Sequence, residues 1–331
     1  MERTGKGVAA CLSKPQENNM KIAFISDVRG WAFDVTYKGI NKFLDADLYY
    51  TSDDPKVNKT VIDTYDKVHF FNWLGGQEFA GLPNVSAGVC QHNYEIKWAD
   101  ISKKYLTRYK KIVAISQILC DKLIQWNPNT HLIPNAVDET LFTPTVHDGE
   151  FTVGFVGQKT IGGFGEVKGG EGRMKWDIKG FELMLKPLLG RMKSVKFKVH
   201  SCDYTNATPY EEMPNIYRDM DVLICTSIFE GAPFPVLEAA SCGKAVIATK
   251  VGITPELIKH GHNGFLVDTP RNRSEVPKAI DDFERYIDTL SRNRELCRKM
   301  GERNREEILK AWTWEKITPL WRKFFDTQKT L

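Results

Sequence analysis

Cysteine, long apolar runs and net charge are all scarce in this 331-residue chain, and each scarcity excludes something. The seven cysteines (Cys11, Cys90, Cys120, Cys202, Cys225, Cys242 and Cys297) are odd in number and widely spaced, with no C-x-x-C pair. That pattern argues against a disulfide framework and against a structural zinc site. Most sit in apolar stretches such as Val222-Leu223-Ile224-Cys225, where a buried, reduced thiol is expected. No window approaches the ~18 apolar residues that a membrane span needs. Residues 1–19 are polar throughout and lack the apolar core of a secretory signal. The expectation is a cytoplasmic protein with residues 1–19 as a flexible extension outside the fold. A net charge of +4 is too small to mark a nucleic-acid binder. No G-x-G-x-x-G follows the first apolar run, which counts against a dinucleotide-dependent oxidoreductase.

What is present is ordinary globular material, 42% hydrophobic and 27% charged, at about twice the ~150-residue prior for one domain. Residues 20–150 carry 14 Lys and Arg against 16 Asp and Glu, while residues 151–331 carry 29 against 24. The second half is therefore the better candidate for binding an anion. Short apolar runs alternate with amphipathic stretches. The first series of strand candidates is 22–25, 48–50, 67–72, 85–89, 111–115 and 131–133; the second is 151–156, 195–200, 222–226, 245–248 and 264–267. Helical stretches between them, at 33–44, 181–191, 216–219, 235–242 and 255–259, argue for parallel sheets covered on both faces. Two series predict two doubly wound α/β domains, residues 20–145 and 146–311. Residues 273–325 read as two or three helices.

The most informative segment runs from Met220 to Asp268. An apolar strand ends at Cys225, a polar loop carries Ser227 and Glu230, and Pro235 sits where a helix begins, with Gly243 closing that helix. A strand's carboxyl end feeding a helix N-terminus is where open α/β sheets bind ligands, and phosphate is favoured there. Glu230 and Glu238 lie eight residues apart, one in the loop and one in the helix. A carboxylate accepts two hydrogen bonds from a vicinal diol, so this pair beside a phosphate site points to a hydroxyl-rich ligand with a diphosphate between. A loop glutamate in water and a helix glutamate on a solvated face is the plainer alternative.

Here the sequence resembles a known family. Glu230-x7-Glu238, followed by Ala-Ser-Cys-Gly-Lys-Ala-Val-Ile-Ala-Thr and Asn263-Gly264-Phe265-Leu266-Val267, is similar to the signature of retaining GT-B glycosyltransferases, family 4 (group 1). Val113-Ala114-Ile115-Ser116 with Ile133-Pro134-Asn135-Ala136-Val137-Asp138 and Phe142-x-Pro144 resembles the family's interdomain segment. Phe155-Val156-Gly157 with Lys179-Gly180 resembles its first C-domain strand and loop. Trp312-Thr313-Trp314-Glu315 with Trp321 resembles its terminal helix. The motifs span roughly residues 110–325, in family order.

The resemblance implies a GT-B fold, two Rossmann-like domains facing a central cleft, with residues 312–331 as a helix returning to the N-domain. It implies that Glu238 binds the donor ribose and that Glu230 contacts the donor sugar on its reacting face. Gly231, Ala232, Pro233 and Phe234, with Ser227 and Gly157, would line the donor, although the two prolines of the loop have no N–H to give. Lys179 would neutralise the departing diphosphate. The family's arginine after the glycine is here Gln158, so a second cation is missing; Arg29, or Lys168, Arg173 or Lys175 in the glycine-rich insertion 160–177, would replace it. Gly30 is a single glycine where the family keeps a glycine-rich loop, and His92 matches a family position near the reacting centre.

Lys97, Lys103, Lys104 and Arg108 among Trp98, Tyr105 and Tyr109 read as a basic helical face over 97–111, for an anionic membrane surface, a nucleic-acid backbone, or simply for water. The resulting expectation is a metal-independent, retaining hexosyltransferase using a UDP- or GDP-linked sugar and no other cofactor. Its acceptor hydroxyl belongs to a surface glycan or glycolipid, or alternatively to a hydroxymethylated base of phage DNA; a peripheral place at the inner membrane face would suit the lipid case. A nucleotide-sugar epimerase and a non-catalytic sugar-nucleotide binder are the competing functions.

Overall fold

A computed structural model describes residues 20–51, 57–90, 99–158, 177–201 and 208–326. The expected extension 1–19, His92, Lys97, Trp98, Lys168, Arg173 and Lys175 lie outside the described residues.

The described strands form two wholly parallel sheets. The first holds β1 (Ile22–Ser26), β2 (Asp47–Tyr50), β3 (Lys67–Phe70), β4 (Val85–Val89), β5 (Ile112–Ala114) and β6 (Thr130–Leu132), in the order β2-β1-β3-β4-β5-β6. The second holds β7 (Thr152–Val156), β8 (Lys196–His200), β9 (Val222–Cys225), β10 (Ala245–Thr249) and β11 (Gly264–Val267), in the order β11-β10-β9-β7-β8. Central strands are near-continuous apolar runs because both their faces are covered, as in Val-Leu-Ile-Cys of β9 and Ala-Val-Ile-Ala-Thr of β10. Edge strand β8, Lys-Phe-Lys-Val-His, alternates instead, and its Lys198 reaches Asp219 at 2.8 Å.

Each sheet carries a core on both faces. In the second domain, Leu237, Val246 and Tyr217 pack on one side, and Ile247, Phe283 and Ile287 on the other. In the first, Ile25, Phe70 and Leu119 fill one side. The other side is completed by the last helix, Trp314–Asp326, whose Trp314, Trp321, Phe324 and Phe325 lie against Ile22, Phe24 and Ile40. Each such side chain contributes ~1.5–3 kcal/mol on burial. The expected return of this helix to the N-domain is thus what the chain does. Gly39 makes the contact possible, since a methyl there would overlap the Trp314 indole. The two crossings run side by side: Val137 pairs with Thr313, and the Val137 amide donates to the Trp312 carbonyl at 3.0 Å.

Candidate active site

Both sheets share the strand order 2-1-3-4-5, which the first extends by a sixth strand, so in each the winding reverses between the first and third strands. Ligands of open α/β sheets bind outside the carboxyl ends at such a reversal. In the second domain those ends are Gly157-Gln158 after β7 and Thr226-Ser227 after β9.

Lys179 is brought to this point by a turn built from its neighbours. The buried Asp177 carboxylate accepts from the Phe181 amide at 2.9 Å and the Leu183 amide at 2.8 Å, starting the helical stretch Phe181–Arg191. Gly180 sits at φ +67°, and a methyl there would overlap the Thr226 carbonyl, so only glycine fits. Thr226 Oγ1 donates to the Lys179 carbonyl at 2.7 Å, and the Ile228 amide donates to Ile178 at 2.8 Å. Lys179 Nζ is ion-paired with Glu230 Oε1, and Ser227 Oγ donates to the same oxygen at 3.0 Å. Thr249 Oγ1 holds the Ser227 carbonyl. Gly157 lies beside the Lys179 stem and donates its amide to the His200 carbonyl at 3.1 Å. Gln158 follows, half-buried. The fold therefore gathers Gly157, Gln158, Lys179, Ser227 and Glu230 at one place.

The loop after Glu230 faces the first domain. Gly231 lies against the Cys90 carbonyl and the Ile115 side chain, so closely that a methyl would overlap the former. Its own carbonyl accepts from the Ile253 amide at 3.1 Å. Ala232 is buried, Pro233 precedes the helix Phe234–Ser241, and Phe234 packs at the junction of the two domains' cores.

Glu238 lies on that helix and is 3% exposed. The Tyr217 hydroxyl donates to its Oε2. Burial pushes the carboxyl up to about 7, with the Tyr217 hydrogen bond pulling the other way. Both glutamates are turned inward, which excludes the reading of two solvated side chains.

On the N-domain side the loop after β1 is closed on itself. Gly30, at φ +71°, donates its amide to Asp34 Oδ2. Tyr50 donates to Asp34 Oδ1 at 3.1 Å, and the Arg29 guanidinium lies 3.9 Å over the Tyr50 ring. An intrachain carboxylate already occupies the amide that would meet a phosphate. Asn72 donates to Asp27 at 3.3 Å, and the Cys90 thiol is pushed up to about 12 by burial and by the charges of Asp27 and Glu230. Cys90 thus lies within the field of both Asp27 and Glu230.

The basic segment needs correction. Among its described residues the helix covers Ala99–Leu106. Tyr109 is buried, donating to the Trp73 carbonyl at 2.7 Å, and Lys111 turns inward to the Phe324 carbonyl at 2.7 Å. Lys103, Lys104 and Arg108 remain exposed, the last two beside the Tyr105 ring. The one-face periodicity fails because the chain must turn at residues 107–111 to enter β5. Among the described residues, no group of three or more His, Cys, Asp or Glu side chains is placed to hold a metal ion, and no helix is long and apolar enough to cross a membrane.

Asp27, Asp34, Asp177 and Tyr217 were not singled out by sequence. Asp27 follows the first strand directly, a readable signal; the others act through bonds that no spacing rule announces.

This pair of facing 2-1-3-4-5 sheets with a returning terminal helix is the GT-B fold. Known structures share it. HepE of Anabaena in complex with UDP-glucose superposes with a TM-score of 0.68 at 17% identity, over 93% of this chain and 100% of that one. Sucrose-phosphate synthase of Thermosynechococcus elongatus gives 0.71 at 15%, over 92% and 99%. Residues 191–307 match the family described as Glycosyl transferases group 1. N-acetyl-alpha-D-glucosaminyl L-malate synthase of Bacillus anthracis is 35% identical over 97 residues, 29% of this chain and 23% of that protein. Alpha-maltose-1-phosphate synthase of Mycolicibacterium smegmatis is 28% identical over 109 residues, 33% and 28% respectively. The match spans about a quarter of the length of these relatives.

Proposed function

We propose that the protein is a retaining glycosyltransferase that moves a hexose from a UDP- or GDP-linked donor to the hydroxyl of a surface glycan or glycolipid, without an obligatory metal. The observation that carries this reading is the convergence of Lys179, Ser227 and Glu230 at the winding reversal of a group 1 module, against Cys90 of the opposite domain. A donor diphosphate takes over the Lys179 ammonium from Glu230. The freed carboxylate then accepts hydroxyls of the hexose, and Glu238 accepts those of the ribose. The diphosphate leaves as an anion, stabilised by Lys179 and nearby N–H groups, and helps deprotonate the incoming hydroxyl on the same face. Closure of the two domains keeps out water, which would otherwise consume the donor. Exposed Lys103, Lys104 and Arg108 favour an acceptor borne on an anionic carrier, with peripheral contact to an anionic membrane as the simplest case.

The test is a donor and acceptor screen with product analysis: UDP- and GDP-hexoses against glycans, glycolipids and duplex DNA containing hydroxymethylpyrimidine, with and without EDTA. Retention is read from the anomeric coupling of the product. Glu230→Gln and Lys179→Ala are expected to lower turnover on the order of 10²-fold or more. Unchanged, nonzero turnover in both variants overturns the site. Conversion of the free donor without any acceptor assigns an epimerase instead, and transfer confined to the modified DNA overturns the glycan reading.

A further inference from the structure

Glu238 is held by a single bond among the described residues, the one its Oε2 accepts from the Tyr217 hydroxyl; Oε1 has no partner there. Tyr217 is wholly buried on the helix Met213–Arg218, wedged edge-on against Phe142 at 6.0 Å between ring centroids. The phenol therefore has little freedom to move, and one oxygen of the carboxylate is fixed while the other is left to accept from elsewhere. The titratable groups around Glu238 are Tyr217 and Tyr210 from the stretch before β9, and Cys242 at the end of its own helix. Burial pushes the Tyr210 phenol and the Cys242 thiol up, so neither brings a charge to Glu238, and the Tyr217 hydrogen bond is the main local device that favours the carboxylate over the acid.

We infer that Tyr217 is a positioning residue for the nucleotide: it fixes the rotamer of Glu238 and keeps that side chain an acceptor, so that the second oxygen receives a donor hydroxyl. The inference rests on the proposed role of Glu238 and adds a residue that never touches the ligand itself. Tyr217→Phe keeps the ring and its packing against Phe142 while removing the donor. The carboxylate then loses its aim and the bond that favours it, and protonates at higher pH.

The experiment is calorimetric titration of the full-length protein with UDP and GDP from pH 5.5 to 8.5, on wild type, Tyr217→Phe, Glu238→Gln and the double variant. Wild-type affinity for the nucleotide that binds is expected to fall as pH drops through the Glu238 titration. Tyr217→Phe should move that midpoint upward by at least half a pH unit and weaken binding severalfold at pH 7, with a melting temperature close to wild type. Glu238→Gln should flatten the profile, and in its background Tyr217→Phe should do nothing further. If Glu238→Gln leaves affinity unchanged, the ribose role fails. If Glu238→Gln weakens binding but Tyr217→Phe leaves both affinity and midpoint in place, the tyrosine inference alone fails. A uniform loss in Tyr217→Phe without a shifted midpoint also overturns it, as mere structural damage.

Discussion

Gly231 of the second domain lies directly on the carbonyl oxygen of Cys90 in the first, with no room for even a methyl group between them. Cys90 follows the last residue of β4, and Gly231 follows Glu230, so the contact sets how near the first domain comes to Glu230. Gly231→Ala must push backbone against backbone, since neither side is a flexible chain end. The expected result is a wider cleft in solution scattering and at least a tenfold loss of transfer, with nucleotide binding little changed. Equal loss of both would place the damage in the donor site itself.

Much of this arrangement was legible beforehand, for identifiable reasons. β9 and β10 are continuous apolar runs bounded by turns, and a strand buried on both faces has no other way to be written. Pro235 and Gly243 bracket their helix because each fits only one end of it. Lys179 and Glu230 were readable as candidate site residues, yet their pairing was not: 51 residues separate them, and the contact depends on Gly180 and Thr226 meeting face to face. The closure of the Gly30 loop was not legible, because its amide is held by Asp34, one helical turn on, through a bond that no spacing rule announces. The basic run over 97–111 read as one helical face because it holds no glycine or proline to mark where its helix stops.

The Gly180 turn yields a second prediction. At φ +67° and against the Thr226 carbonyl, Gly180→Ala incurs both backbone strain and overlap. Lys179 should then swing away from Glu230. Turnover is expected to fall toward the level of Lys179→Ala, with the global melting temperature reduced by only a few degrees, because the turn lies at the end of the sheet. Turnover near wild type would show that Lys179 needs no such support.

Across the same cleft, the Gln117 amide donates to Glu256 Oε1 at 2.7 Å, joining the start of a first-domain helix to the second domain. Burial, with the nearby charge of Asp121, raises the Glu256 carboxyl, and the Gln117 bond opposes that rise. Glu256→Ala removes the acceptor, and Glu256→Gln keeps one. Losing a bond worth about 1 kcal/mol should raise the donor KM roughly fivefold in Glu256→Ala, with most of the loss recovered in Glu256→Gln. Identical behaviour of the two variants would mean that the bond does not hold the domains together.

His69 provides the pH prediction. It sits in the middle of β3 with its Nδ1 2.9 Å from Ser86 Oγ, and Phe24, Phe71, Trp321 and Phe324 pack around the ring. Nε2 is buried without a partner among the described residues. Burial lowers the imidazole to about 3 from an ordinary 6.5. The folded state therefore stays neutral where the unfolded chain takes up a proton. The stability this contributes is fully present above pH 6.5 and is lost progressively as pH falls toward 3, at up to about 1.4 kcal/mol per pH unit. Because the ring lies under Trp321 and Phe324, the first element to loosen should be the returning terminal helix. Melting curves between pH 8 and 4.5, followed by tryptophan fluorescence, should show a steeper acid loss in wild type than in His69→Phe, even though the variant starts from a different stability. Parallel slopes in the two proteins would remove His69 as the source of the acid sensitivity.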